Sequence, residues 1–164
     1  MRLALIVLAV LLALAGAWVF LEGPLRDPAD AMNDFLNGGD RFEDQLTDPV
    51  VLAGPRVRPL ALSAVADREM KYRRYALAYL GCADYKPARE RLHQILYDES
   101  EKDYFRADAL EALWRLDRDH GRELARTFLS REDFLGQTAV KLIETGQPWA
   151  ECRSWVAALT ARHD

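Results

Sequence analysis

Apolar residues recur at helical intervals through most of the chain, in blocks separated by glycine, proline and aspartate. The segment RRYALAYL (73–80) aligns with RADALEAL (106–113) at an offset of 33, and GQTAVKLI (136–143) follows at an offset of 30. Each block spaces alanine and leucine three or four positions apart, which places them on one face of an amphipathic helix. The pattern therefore predicts one helix repeated three times.

A second helix is predicted after each of these first helices, because a short polar turn leads into another helical stripe. These stripes lie in KPARERLHQILY (86–97), HGRELARTFL (120–129) and QPWAECRSWVAAL (147–159). Pro87 and Pro148 stand near the start of their segments, where proline suits the first turn of a helix. Helix, turn and helix at a period of 30–33 residues is typical of an α-solenoid.

The first helices carry a resemblance to a known family. Residues 73–81 read RRYALAYLG and residues 104–113 read YFRADALEAL. Both resemble HEAT-like repeat proteins, whose helices often read R-x-x-A-x-x-A-L-G. The resemblance covers about residues 48 to 160 and implies an all-α fold, a short HEAT-like α-solenoid of about three to four helical hairpins.

The same resemblance implies a structural ladder between neighbouring repeats. In HEAT-like proteins an arginine of the first helix commonly pairs with an acidic turn of the next unit. Here Arg106 would take that role, with Asp84 or Asp98 as its partner.

An uncharged apolar run, Leu3 to Leu21, opens the chain. As a helix rising about 1.5 Å per residue, this run would span nearly the ~30 Å hydrocarbon core of a bilayer. The small residues Ala15-Gly16-Ala17 also fit a signal-peptide cleavage site. Cleavage there would leave Trp18 in an exposed apolar start, whereas tryptophan suits the membrane edge. We predict a retained anchor, with cleavage as the alternative.

These observations divide the chain into three parts: a transmembrane signal anchor (1–21), a linker with a short helix (22–47) and the HEAT-like helical repeat domain (48–164). Because a two-residue tail precedes the anchor, we expect its amino terminus to stay in the cytoplasm. The sequence thus predicts a single-pass membrane protein with its body on the periplasmic or extracytoplasmic side.

The charge balance is 22 basic against 26 acidic residues, a net charge of −4. A mildly acidic chain lacks the basic surface that grips phosphate backbones, so no nucleic acid partner is expected. The densest basic cluster is Arg68, Lys71, Arg73 and Arg74. This cluster has two possible interpretations. It contacts anionic lipid headgroups, or it consists of exposed arginines beside one structural arginine.

No recognisable catalytic or metal-binding pattern is found. The three histidines, His93, His120 and His163, have no partner at i+4 suited to a metal, and HExxH and G-x-S-x-G are absent from the sequence. Acidic pairs fall in predicted turns, where capping explains them. We therefore expect no catalytic residue, no metal and no cofactor.

The two cysteines are predicted to remain unbonded to each other. Cys82 lies at a turn of one unit and Cys152 lies two units later. Neighbouring helices pack about 8–10 Å apart, so the separation should be roughly 20 Å, whereas a disulfide needs Cα atoms within about 7 Å.

Surface residues carry the functional prediction. Solenoids bind partners on a concave face lined by second helices, and arginine and aromatic side chains are enriched at binding hot spots. The candidate partner-binding residues are Arg74, Arg89, His93, Tyr104, Arg122 and Arg126. We predict a membrane-anchored scaffold that binds another protein, stably or as a transient assembly factor; exposed end faces leave self-association open.

The alternative prediction is enzymatic, because some HEAT-like proteins resemble the bilin lyases. That likeness implies a HEAT-like enzyme subunit with a bilin lyase-type activity. A deep pocket holding a titratable group with a shifted pKa would favour this alternative.

Overall fold

The computed structural model describes residues 26–39 and 41–161, which form helices and connecting turns with no β-strand among them. Short 3-10 turns cover Glu43–Gln45, Gly54–Val57 and Lys86–Ala88. The α-helices of this part of the chain are α1 (Pro28–Asn37), α2 (Asp48–Leu52), α3 (Arg58–Ala64), α4 (Arg73–Cys82), α5 (Arg89–Tyr97), α6 (Asp103–Leu116), α7 (Arg118–Arg126), α8 (Phe134–Thr145) and α9 (Trp155–Thr160). The described residues are all-helical, as the sequence pattern predicts.

The predicted transmembrane helix, Leu3 to Leu21, lies outside the described residues. Among the helices that the structure does describe, none is long and apolar enough to cross a membrane. The longest, α6, has 14 residues, about 21 Å at 1.5 Å per residue against a hydrocarbon core of ~30 Å. The structure does not support a single-pass membrane protein. The predicted membrane anchor, its membrane contact and the extracytoplasmic placement of the body therefore find no support in the described helices.

Helix α6 is the centre of the fold. Helices α4 and α8 pack along its two sides, and α5 and α7 pack against it as a second layer. As a result, ten of its 14 residues are buried. The first helices of the predicted hairpins thus lie side by side, and the second helices of the first two hairpins cover them.

Two glycines allow the neighbouring helices to approach α6 closely. A Cβ atom on Gly81 would lie 2.7 Å from the Cα of Ala112, and one on Gly121 would lie 2.4 Å from the Cα of Trp114. Real Cβ atoms do not come this close to backbone. Any larger residue at either position would push α4 or α7 away from α6.

The amino-terminal segment packs onto this core. Helix α1 begins after Asp27, whose carboxylate accepts hydrogen bonds from the first-turn backbone. Its buried face, which includes Met32 and Phe35, belongs to the same apolar cluster as the repeat helices. The short helix predicted in this segment is therefore present and buried against its neighbours.

An arginine near the start of each of two first helices binds the end of the preceding helix. Arg73 donates from Nε to the carbonyl of Val65 at 2.8 Å, and Arg106 donates in the same way to Leu96 at 2.9 Å. The last carbonyls of a helix lack partners within it, so each arginine satisfies one of them.

The position of Arg106 differs from the ladder of ion pairs that the family resemblance implies. Arg106 is buried against the backbone of α5 and forms no ion pair with Asp84 or Asp98. Asp84 pairs with Lys86, and Asp98 accepts from Arg68. A contact between repeats does exist one unit earlier.

That contact joins Arg73 to Glu101. The two guanidinium Nη atoms donate to the two carboxylate oxygens at 2.8 and 2.7 Å. Both side chains are almost fully buried. A two-point pair of this kind fixes orientation as well as distance, so it sets how α4 sits on the loop that precedes α6.

The third hairpin departs from the prediction, because no second helix stacks on α8. Helix α8 ends at Gly146, which has a left-handed φ of 68°. Residues 146–154, called the strap below, then run without helical structure back across the first-helix layer. The helix predicted over residues 147–159 is therefore wrong for its first part, and only α9 forms, packed against α2.

The strap ends in a disulfide between Cys82 and Cys152, whose Cα atoms lie 5.4 Å apart. The prediction of no intrachain bond is wrong. It assumed that Cys152 lay on a stacked second helix two units away from α4. Since the strap crosses from α8 over α6 to α4 instead, it brings Cys152 to the end of α4.

We expect reduction of this disulfide to lower the free energy of unfolding by about 4 kcal/mol, the chain-entropy value for a closed loop of this size; the bond joins positions 70 residues apart. Urea unfolding with and without a thiol reductant measures the change. The Cys82→Ala/Cys152→Ala double variant is the control and should not respond to reductant. A change below about 1 kcal/mol would contradict a role for the bond in stability.

Leu110 is fully buried in the middle of α6, so Leu110→Ala should lower the free energy of unfolding by about 2–5 kcal/mol. Leu129 is 41% exposed and supplies the matched control: Leu129→Ala should change stability by less than about 1 kcal/mol. Chemical denaturation of both variants makes the comparison, and equal losses would show that α6 is not the centre of the core.

Candidate functional site

A cleft of about 800 Å³ lies between the strap, α2, α4 and α6. Cavities of roughly 300–1,000 Å³ are typical of sites for small ligands. Its wall includes the disulfide that closes the strap. The strap is thus part of the cleft and also a tether across it.

Two acids of α6 form the cleft floor. Asp108 and Glu111 are three residues apart, so they share one face of the helix, and both are buried. The Glu111 carboxylate accepts hydrogen bonds from the backbone N–H groups of Trp149 and Ala150. Arg115 donates in turn to the carbonyl of Ala150. These bonds hold the middle of the strap on α6.

Asp108 is paired with Arg74 of α4. Arg74 donates from Nε to one carboxylate oxygen at 2.7 Å and from Nη2 to the other at 2.9 Å. Burial raises the pKa of Asp108 to about 6, although the hydrogen bonds from Arg74 act in the opposite direction. Asp108 thus changes charge closer to neutral pH than an ordinary aspartate does.

Arg153 fixes the far end of the strap. It donates from Nε to the buried carboxylate of Asp48 at 2.6 Å and from Nη2 to the other oxygen at 3.2 Å. Its Nη1 also reaches Asp44 at 3.3 Å. These contacts span more than 100 residues of sequence and join the strap to α2 and the turn before it.

Two tyrosines of α4 line the same cleft. Burial raises the pKa of Tyr75 to about 12, with a hydrogen bond to Glu43 as the next cause, and burial likewise raises the pKa of Tyr79 to about 12. Both hydroxyls therefore stay neutral at physiological pH. They act as hydrogen-bond donors, Tyr75 to the Glu43 carboxylate and Tyr79 to the Val50 carbonyl.

The residues predicted to bind a partner lie on two sides of the molecule. Arg74 lines the cleft, and its guanidinium lies 5.4 Å from the ring of Tyr104. The other four, Arg89, His93, Arg122 and Arg126, lie on α5 and α7 in the second layer. The structure therefore does not bring the six together as one surface.

Two of the second-layer arginines form ion pairs with nearby aspartates. Arg89 pairs with Asp117 at 3.4 Å, and Arg122 pairs with Asp119 at 3.6 Å. The Nε2 atoms of His93 and His120 lie 3.0 Å apart, and burial, with the neighbouring His120, lowers the pKa of His93. Within the described part of the chain, no three histidine, cysteine or acidic side chains are grouped so as to hold a metal ion.

The sequence pattern did not identify the main cleft residues, including Asp108, Glu111 and Arg153. In RADALEAL the two acids stand where a surface helix carries solvated charge. The available signal was that alanine, leucine and aromatic residues occur on nearly every side of α6, so an acid in its middle faces other protein. The hydrogen-bond partners of Glu111 could not be predicted, because the apolar residues of the strap are spaced as in a helix.

Comparison with known proteins gives no match: no family model, no curated protein and no solved structure matches this chain. Functional inference therefore depends on the geometry of the cleft.

The raised pKa of Asp108 predicts a pH dependence of stability. Between its ordinary pKa of 3.8 and its folded value of about 6, the folded chain holds a proton that the unfolded chain has lost. Rising pH through this window should therefore reduce the free energy of unfolding by up to about 3 kcal/mol through this group. Asp108→Asn should remove that contribution.

Urea unfolding of both proteins at pH 4 and pH 7.5 tests this. The stability of the unmodified chain relative to Asp108→Asn should fall between the two pH values. Asp119→Asn, at a side chain that is 94% exposed, is the control and should show no such change. A constant difference between the unmodified chain and Asp108→Asn would contradict the shifted pKa.

Proposed function

We propose that this protein is a HEAT-like helical-repeat protein that binds a segment of another protein in the cleft, as an interaction or assembly scaffold without catalysis. The observation that carries this proposal is a cleft of about 800 Å³ lined by arginine and aromatic side chains. Such side chains supply most of the binding energy at protein interfaces.

The chemistry of the cleft wall supports a protein ligand. Tyr75, Tyr79 and Trp149 provide large apolar area with a polar edge. Arg74 and Arg153 lie among them and are held by carboxylates. Trp149, a residue of the strap, is 52% exposed, so it offers aromatic surface to an incoming chain.

The rigidity of the cleft supports the same proposal. The strap is held at three successive points: by Glu111 on α6, by the disulfide on α4 and by Asp48 on α2. A site whose walls are already fixed loses less conformational freedom when a ligand binds. Binding therefore requires little rearrangement of the chain.

The packing of the repeats supports the HEAT-like part of the proposal. First helices α4, α6 and α8 lie in one layer, and Arg73 and Arg106 play the same part at an offset of 33. The departure lies in the third unit, where the strap replaces the second helix.

An enzymatic function of the bilin lyase type is the second candidate, because Asp108 is a buried acid with a raised pKa in a cleft. We place it second because both oxygens of Asp108 accept hydrogen bonds from Arg74, so the acid is committed. Covalent attachment of a linear tetrapyrrole to an acceptor protein, lost in Asp108→Asn, is the measurement that would favour it.

Site-specific photo-crosslinking in the cells that make the full chain tests the binding proposal. A benzoyl-phenylalanine placed at Ala78, a partly exposed residue of the cleft wall, should give a discrete adduct with another protein. The same group at Ala66, which is exposed and outside the cleft wall, is the matched control and should not. No adduct at Ala78, or the same adducts at both positions, would contradict the proposal.

A further inference from the structure

Three arginines line the cleft, and two of them bind a carboxylate in the same way. Arg74 and Arg153 each use Nε together with Nη2 to contact the two oxygens of one aspartate, Asp108 and Asp48 respectively. This side-on, two-point arrangement matches the planar carboxylate to the planar guanidinium. The cleft is therefore built around repeated arginine–carboxylate pairs.

The third arginine, Arg58 at the start of α3, has no such partner. Its Nε is buried, and no hydrogen-bond acceptor contacts it among the described residues. Nor does Arg58 form an ion pair with any acid in that part of the chain. A buried charged donor without an acceptor costs free energy, and such groups are rare in native structures.

Most of the acids in and beside the cleft are already engaged by other groups of the chain. Glu43 accepts from Tyr75, Asp44 and Asp48 accept from Arg153, and Asp108 accepts from Arg74. Glu111 holds the strap, and Glu151 is exposed on the strap and does not pair with Arg58. Among the described residues, no carboxylate therefore pairs with the third arginine.

The surroundings of Arg58 favour an acidic group from outside. Arg58 lies beside Tyr79, where, against the larger effect of burial, its positive charge and a side-chain hydrogen bond both act to lower the pKa of that hydroxyl. Both residues belong to the cleft wall. Arg58 is partly exposed in the space that a ligand would enter, while its Nε is shielded from water.

We propose that Arg58 is the anchor of a carboxylate-binding subsite in the cleft, where a carboxylate of the bound segment pairs with the guanidinium of Arg58 through its Nη groups, as Asp108 and Asp48 pair with the other two arginines. This inference rests on the proposed function and specifies its partner as a protein segment with an acidic side chain or a free carboxyl terminus. A doubly charged phosphate fits less well, because Glu43, Asp44 and Glu151 also line the cleft.

Capped tripeptides are the probes for the test. Acetyl-Ala-Glu-Ala-amide presents a side-chain carboxylate, acetyl-Ala-Ala-Ala with a free terminus presents a terminal one, and acetyl-Ala-Gln-Ala-amide presents neither. Each is titrated into the isotope-labelled full chain while NMR follows the Arg58 Nε–H resonance and the cleft amides. We expect saturable shifts of the Arg58 resonance with at least one acidic peptide and none with the glutamine peptide, and the acidic peptide that binds more tightly identifies the source.

Substitutions of Arg58 test whether this residue binds the carboxylate of the peptide. Arg58→Gln should weaken binding of the acidic peptide about tenfold or more, and Arg58→Lys should restore only part of it, because lysine keeps the charge without the two-point fork. Arg56→Gln, at an exposed position outside the cleft wall, is the matched control and should leave binding unchanged. Thermal unfolding of each variant checks that the fold is kept.

Equal affinity of the glutamate and glutamine peptides, absence of binding by both acidic peptides, or unchanged binding by Arg58→Gln would overturn the subsite. The crosslink at Ala78 separates this failure from failure of the proposed function. If the subsite is overturned while Ala78 still captures a protein, binding in the cleft stands without the carboxylate requirement. If Ala78 captures nothing, the proposed function falls as well.

Discussion

Two buried carboxylates on one helix organise this structure. Asp108 and Glu111 lie on α6, which is enclosed by helices on most of its surface. A buried acid is unfavourable unless hydrogen bonds satisfy it. Arg74 satisfies the first, and the backbone of the strap satisfies the second. The requirement to satisfy these acids thus explains both the cleft floor and the path of the carboxyl-terminal segment.

The strap turns one face of the first-helix layer into a cleft. Without it, the first-helix layer would present a shallow face to solvent; with it, the same face becomes one wall of an enclosed cleft. Ion pairs and hydrogen bonds hold the strap at several points, and the disulfide adds a covalent bond to Cys82. The shape of the cleft and the stability of the fold therefore depend on the same nine residues, 146–154.

Sequence periodicity predicted the parts of the fold that depend on local burial. Helices α4 and α6 follow from alanine and leucine on one face, and both stripes are buried as expected. The strap was missed because Trp149, Cys152, Val156 and Leu159 are also spaced as in a helix. Its real conformation depends on Glu111 and Cys82, which are distant in sequence, and Val156 and Leu159 remain exposed. Periodicity carries no information about such distant partners, so the cleft was missed with the strap.

The strap also limits how wide the first-helix layer can be. An open solenoid can lengthen by duplicating a hairpin, since each unit contacts only its neighbours. Here the strap is joined to α2 through Arg153 and Asp48, so its length must match the width of the first-helix layer. Each added first helix would widen that layer by about 8–10 Å and would require roughly three more extended residues in the strap. Duplication of a hairpin would therefore have to be accompanied by a longer strap.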